Sequence, residues 1–110
     1  MIARGIIPTP PGRNKWEQRY HQELELLRDV GEILWYAYEP MSLKIATGAR
    51  YTPDFIVMLA DRTLELHEVK GMWREAAKVR IKVAARTYQI FRFVAVTGGP
   101  GKWKREEIKP

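Results

Sequence analysis

The stretch from Thr52 to Lys70 constrains this chain more than any other, because it reads as a β-hairpin with charge at one end only. Its first half is Pro53-Asp54 followed by the apolar run Phe-Ile-Val-Met-Leu59, and its second half, about Thr63 to Lys70, alternates apolar and polar residues. Aliphatic and aromatic side chains suit paired, half-buried strands. Ala60-Asp-Arg-Thr63 supplies the turn. Side chains alternate along a strand, so Leu64, Leu66, Glu68 and Lys70 share one face. If the hairpin folds about Asp61, Asp54 stands across from Glu68; if it folds about Arg62, Asp54 stands across from Lys70. Either register gathers Asp54, Glu68 and Lys70 on one face, whereas a turn centred between Asp61 and Arg62 sends Asp54 to the other.

Two carboxylates meeting at the end of a buried hairpin repel each other and lose hydration. A hard divalent cation relieves this, since Mg²⁺ takes one or two carboxylates plus water and phosphate oxygens. A lysine beside such an ion can orient a water or support charge on a phosphoryl group. Hydrolysis of a phosphodiester is the chemistry this set suggests. The plain alternative is a turn-capping Asp54 beside a surface ion pair between Glu68 and Lys70.

The chain has 19 Lys and Arg against 13 Asp and Glu, a net charge of +6 that favours a polyanionic partner. Cysteine is absent, which excludes disulfides, thiol catalysis and Cys-based zinc sites. No apolar run reaches membrane-spanning length and the first residues lack a signal-peptide core, so a cytoplasmic protein is expected.

Pro53-Asp54 followed by Glu68-Val69-Lys70 resembles the signature of the Pro-Asp-(Asp/Glu)-x-Lys nuclease superfamily. Asn14-Lys-Trp-Glu17, Tyr51-Thr-Pro-Asp-Phe55 and Glu68-Val-Lys-Gly-Met-Trp73, in that order, look like the phage endonuclease I family, whose members resolve Holliday junctions as dimers. A related group of small phage nucleases is also similar, especially over Asn14 to Ile33. The resemblance covers about Asn14 to Thr97. It implies a restriction-endonuclease-like core and DNA cleavage with Mg²⁺, for which Mn²⁺ substitutes. It also implies a preference for branched DNA during recombination, and a homodimer. It places Glu17 in the helix position that adds a carboxylate to the metal site.

Met1 to Arg13 holds Pro8, Pro10, Pro11 and Gly12 and is expected to form an extended arm. Asn14 to Val30 reads as a helix, with Asn14 as N-cap and Glu17 at the capping-box spacing. Trp16, Tyr20, Leu24 and Leu27 make its apolar stripe, and Gly31 ends it. Glu17 therefore has two candidate roles, cap and metal ligand. Glu23 falls inside the apolar arc, as an alternative ligand or a partner for a core arginine.

Glu32–Tyr38 and Met41–Ala46 read as strands interrupted at Glu39-Pro40, and Thr47-Gly-Ala-Arg50 turns the chain into Tyr51. Trp35, Tyr36 and Tyr38 are expected in the core. After Gly71-Met-Trp73 comes a helix from about Arg74 to Thr87, apolar on two sides (Ala76, Val79 and Val83; Ala77, Ile81 and Ala84), so both sides should be covered, within the domain or at a dimer contact. Arg74, Lys78 and Lys82 form its basic side and are candidates for DNA phosphates. Gln89 to Thr97 reads as a last strand. Thr97-Gly-Gly-Pro-Gly-Lys102 imitates a nucleotide-binding loop, but Val96 occupies the first glycine position and Trp103 replaces the Ser/Thr that would hold Mg²⁺. Residues 98–110 are expected to be a charged tail. His21 and His67 are expected to be structural or solvated.

The expected order is thus α-β-β-β-β-α-β, an α/β (α+β) domain over 14–97 with a mixed sheet flanked by helices. The expected activity is a metal-dependent DNA endonuclease. Asp54, Glu68 and the Val69 carbonyl would hold Mg²⁺, with Glu17 completing the site and Lys70 serving the water or the phosphate. The competing expectations are a DNA-binding subunit of a recombination or transposition complex with little activity alone, and a basic RNA-binding module.

Overall fold

A computed structural model describes residues 14–110; the arm expected over Met1–Arg13 lies outside them. The chain runs α1 (Lys15–Asp29), β1 (Ile33–Tyr38), β2 (Leu43–Ala46), β3 (Ala49–Tyr51), β4 (Phe55–Leu59), β5 (Leu64–Val69), α2 (Glu75–Thr87), β6 (Arg92–Thr97) and β7 (Lys104–Ile108). Five strands form one mixed sheet in the order β1-β4-β5-β6-β7, and β2 and β3 form a separate two-stranded sheet. Only β5 and β6 are parallel, joined by α2 as the crossover, while the other neighbours are antiparallel. No helix among the described residues is long and apolar enough to cross a membrane.

The two faces of the sheet carry different cores. Tyr20 and Leu24 of α1 pack on Tyr36, Phe55, Val57, Val69 and Val96. On the opposite face, Ile81, Ala84 and Ala85 of α2 pack with Leu43 and Tyr51 of the small sheet against Ile56, Leu66 and Phe93. Strand alternation produces this division, since Val69 and Leu66 must point to opposite sides. Tyr36 and Tyr38 are buried and Trp35 packs against the second core, as strand aromatics usually do.

The β4–β5 hairpin folds about Asp61. Met58 pairs with Leu64 and Phe55 with His67, a register that sets Asp54 opposite Glu68 at the open end. Asp61 fixes the turn through its side chain, which accepts from the Thr63 N–H at 2.9 Å, while Arg62 takes a positive φ of 73°. Glu39, with φ 41°, breaks β1 from the small sheet, and its N–H donates to the Asp54 carbonyl at 2.8 Å.

Two expectations are corrected. Ala49–Tyr51 is a strand paired with β2, not only a turn. Lys104–Ile108 is an edge strand in register with β6, from Thr97 against Lys104 to Phe93 against Ile108, rather than a free tail. Its charged side chains hid it, yet an edge strand needs only its backbone to pair, and charge on an edge discourages further pairing. The glycine run before it is the β6–β7 turn. A Cβ on Gly98, at φ 103°, would fall 2.0 Å from the Lys102 carbonyl oxygen, so no other residue fits there. On α2, Ile81 and Ala84 are covered within the domain, whereas Val79 and Val83 remain 59% and 38% exposed, which leaves that side to the dimer-contact alternative.

Candidate active site

The open end of the β4–β5 hairpin brings together three of the residues singled out from the sequence. Asp54 and Glu68 are 7% and 8% exposed, so both carboxyls are largely withdrawn from water. Lys70 Nζ lies 3.2 Å from Glu68 Oε2 and is itself partly exposed. The Val69 N–H donates to Asp54 Oδ2 at 2.8 Å, and the Tyr51 hydroxyl donates to Glu68 Oε1 at 2.8 Å. Asp54 is thus tethered by a backbone donor and Glu68 by Tyr51 and Lys70, which holds the two carboxyls at fixed positions.

Glu17 reaches this site from the other layer. The Asn14 side chain accepts from the Glu17 N–H at 2.8 Å, so the helix is capped by Asn14 through the Glu17 backbone. The Glu17 carboxylate is left to accept from Asn14 Nδ2 at 3.0 Å and from the Tyr38 hydroxyl at 2.9 Å. It also stands near enough to the Asp54 carboxyl to push that group's pKa upward. The Glu17 backbone takes the cap bond, while its carboxylate is shared between Asn14 and Tyr38 beside Asp54.

The electrostatics follow from this crowding. Burial, and next the charge of Glu68, push the Asp54 pKa well above the usual carboxylate range, with Glu17 adding to the rise and the Val69 N–H opposing it. Burial also raises Glu68, while the Tyr51 hydroxyl and Lys70 pull it back. Burial and the neighbouring Glu68 push the Tyr51 hydroxyl far upward, so it stays a donor at any ordinary pH.

Among the described residues no group of three His, Cys, Asp or Glu side chains forms a ready cage for a metal ion. The donors present are a buried, mutually repelling carboxylate pair with a third carboxylate against Asp54. An all-oxygen set without His or Cys suits a hard ion such as Mg²⁺, which keeps several waters, better than zinc, whose sites are usually built on nitrogen and sulfur.

Glu23 is not at this site. Its Oε2 lies 3.2 Å from Arg105 Nη2, so it is the partner of an arginine that β7 brings inward. Arg105 Nε also donates to the Tyr20 hydroxyl at 3.0 Å, and that hydroxyl lies 2.8 Å from His67 Nδ1. His67 Nε2 lies 2.9 Å from Glu65 Oε1. With burial holding the His67 pKa down, these bonds fit a neutral ring protonated at Nε2. His67 faces away from Glu68, as alternation requires, and ties α1 to β5 one helical turn beyond Glu17.

Of the basic side expected on α2, Arg74 lines a hollow that opens over Glu68 and Lys70, whereas Lys78 and Lys82 line a separate hollow with Trp73 and Ile108. The helical period is the reason. At about 100° per residue, Arg80 follows Ala76 onto the near side, while Lys78 stands about 200° round from Ala76. Lys78 is also spent on Glu75 at 3.7 Å. Tyr51, Tyr38, Arg50 and Arg80 were not identified as site residues. For Tyr51 a signal existed, since it precedes Thr-Pro-Asp in the same motif; the others needed the contacts between elements.

No match was found among curated proteins or among solved structures. One family model does match, over residues 13–99, and it takes in α1, the whole hairpin, α2 and β6. That span is most of the chain, and so the chain belongs to the family described as protein of unknown function (DUF1064).

Proposed function

We propose that this chain is a metal-dependent DNA endonuclease with a restriction-endonuclease-like core, selective for branched DNA and active as a homodimer. The observation that carries the reading is the hairpin register: Asp54 opposite Glu68, both buried, with Lys70 Nζ 3.2 Å from Glu68. A pair of buried acids that costs stability and gains nothing from a nearby arginine is what a functional site retains. Asp54 and Glu68, with the Val69 carbonyl, would hold Mg²⁺ or Mn²⁺, and Glu17 would join them from α1. When bound, the ion supplies Lewis-acid stabilisation of phosphate charge and eases deprotonation of water. Lys70 orients the attacking water or steadies the scissile phosphate. Tyr51 opposes the upward pull of burial on the Glu68 pKa and keeps its carboxyl aimed. The net charge of +6 suits the polyanionic substrate.

The test is incubation of the purified protein with four-way-junction, flap, nicked and linear DNA in Mg²⁺ or Mn²⁺. Cleavage, strongest on branched substrates and abolished by Asp54→Asn or chelator, is the expected result. DNA binding without cleavage of any substrate would replace this reading with that of a DNA-binding subunit of a recombination or transposition complex. Binding of RNA alone, indifferent to metal, would overturn both.

A further inference from the structure

The hollow over Glu68 is walled by two elements that the chain separates widely. Arg50 of β3 lines it together with Arg74, which caps α2, and Arg80 of α2, and Lys70 and Glu68 lie between them. Its volume is about 480 Å³. Arg50 is held in place: Nε donates to Ser42 Oγ and Nη2 to the Ser42 carbonyl, each at 2.8 Å. Those bonds leave its charge unpaired, and among the described residues neither Arg74 nor Arg80 has an acidic partner. Three uncompensated guanidinium groups around one hollow repel one another, and a fixed guanidinium is a ready phosphate donor.

A second hollow of about 510 Å³ adjoins the first, sharing Lys70, Arg74 and Ala77 with it. Its other walls are Trp16, Gly71 and the exposed Met72. One hollow is cationic and the next presents an aromatic ring and a thioether. That sequence of surfaces matches the alternation of phosphate and base along a nucleic-acid strand, where aromatic rings take bases without regard to sequence.

We infer that the two hollows form one track for a single DNA strand, crossing Glu68 and Lys70. Arg50, Arg74 and Arg80 hold phosphates at one end, and Trp16 with Met72 receives a base at the other. This rests on the nuclease reading, and it names the strand contacts that reading leaves open. Lys78 and Lys82 lie off the track.

The test uses the full chain with chelator present, so that binding is read without cleavage. Fluorescence anisotropy with a labelled oligo(dT) measures affinity across a salt series. Arg50→Ala and Arg80→Ala, both at exposed positions, should each weaken binding roughly tenfold and flatten the slope of log K against log salt by about one unit. Lys78→Ala and Lys82→Ala should change both less. An abasic strand of equal length should bind more weakly than oligo(dT), and Met72→Ala should narrow that gap. If Arg50→Ala and Arg80→Ala bind as the parent does, or if the abasic strand binds as well as oligo(dT), the track is wrong. Cleavage by the wild-type chain in the same preparation would then leave the nuclease reading standing. Absence of both cleavage and strand binding would remove both.

Discussion

Trp16 lies against Gly71 so closely that a Cβ on that glycine would stand 2.3 Å from the indole Nε1. The contact joins the residue before Glu17 to the residue after Lys70, and so sets how far α1 leans over the hairpin end. Gly71→Ala must push the indole away. It should cost about 1–3 kcal/mol, as overpacking of a close contact does, and cleavage should fall further than stability explains because Glu17 moves with Trp16. Denaturant unfolding beside a cleavage assay measures the two effects; full cleavage activity in a destabilised Gly71→Ala would show that Glu17 need not be placed by this contact.

Asp54 yields a prediction about stability. Its folded pKa is raised, chiefly by burial, so the folded chain binds a proton more tightly than the unfolded one. Stability from this group is present below the unfolded value of about 4 and declines as pH climbs toward the raised folded value. Without metal, Asp54→Asn should therefore unfold at higher temperature than wild type near neutral pH, and the advantage should vanish in acid. Each kcal/mol recovered is worth about 4–8 °C for a domain of this size. Thermal scans at several pH values decide it, and a lower Tm for Asp54→Asn at neutral pH would contradict the direction of the shift.

Glu17 and Glu23 should separate cleanly. Glu17→Gln keeps the backbone cap to Asn14 but weakens a carboxylate ligand. It should lower cleavage by an order of magnitude or more and raise the metal concentration required. Glu23→Gln loses only the partly exposed pair with Arg105 and should cost about 0.2–1 kcal/mol with a normal metal titration. The reverse pattern would transfer the site role to Glu23.

Tyr51 acts through Glu68. Its hydroxyl holds the Glu68 pKa down against burial. Tyr51→Phe should let that pKa rise, so the acidic limb of the pH–activity profile should move to higher pH while activity at alkaline pH is largely kept. A uniform loss at all pH values would mark Tyr51 as packing only.

Resolution of a four-way junction needs two cuts, and this chain offers one Asp54–Glu68–Lys70 site. Two-fold association supplies the second. Light scattering at micromolar concentration should give twice 12.9 kDa. Mixing wild type with Asp54→Asn should yield species that nick one strand and stall. Paired cuts by a strict monomer would rule the dimer out, and the exposed Val79–Val83 side of α2 would then need no partner of this kind.

The hairpin was legible in the sequence because its information is local. An apolar run, a polar turn and strict alternation place Glu68 and Lys70 on one face with no knowledge of the rest of the chain. The first helix was equally legible, since Asn14, Glu17 and the Trp16–Tyr20–Leu24–Leu27 stripe all lie within a few turns. Alternation alone left two hairpin registers open, and the Asp61 side chain with its neighbours settled on the one that opposes Asp54 to Glu68. Three further features were beyond the sequence's reach. β7 pairs through its backbone, which side-chain pattern does not report. Glu23 was open to an arginine partner, but that the partner is Arg105, 82 residues away, was not legible. Arg50 and Arg80 share a hollow only because the small sheet and α2 pack on the same face. Periodicity records which way a side chain leaves its own element, but the distances between elements are created by packing, and it is there that the surroundings of the acids were decided.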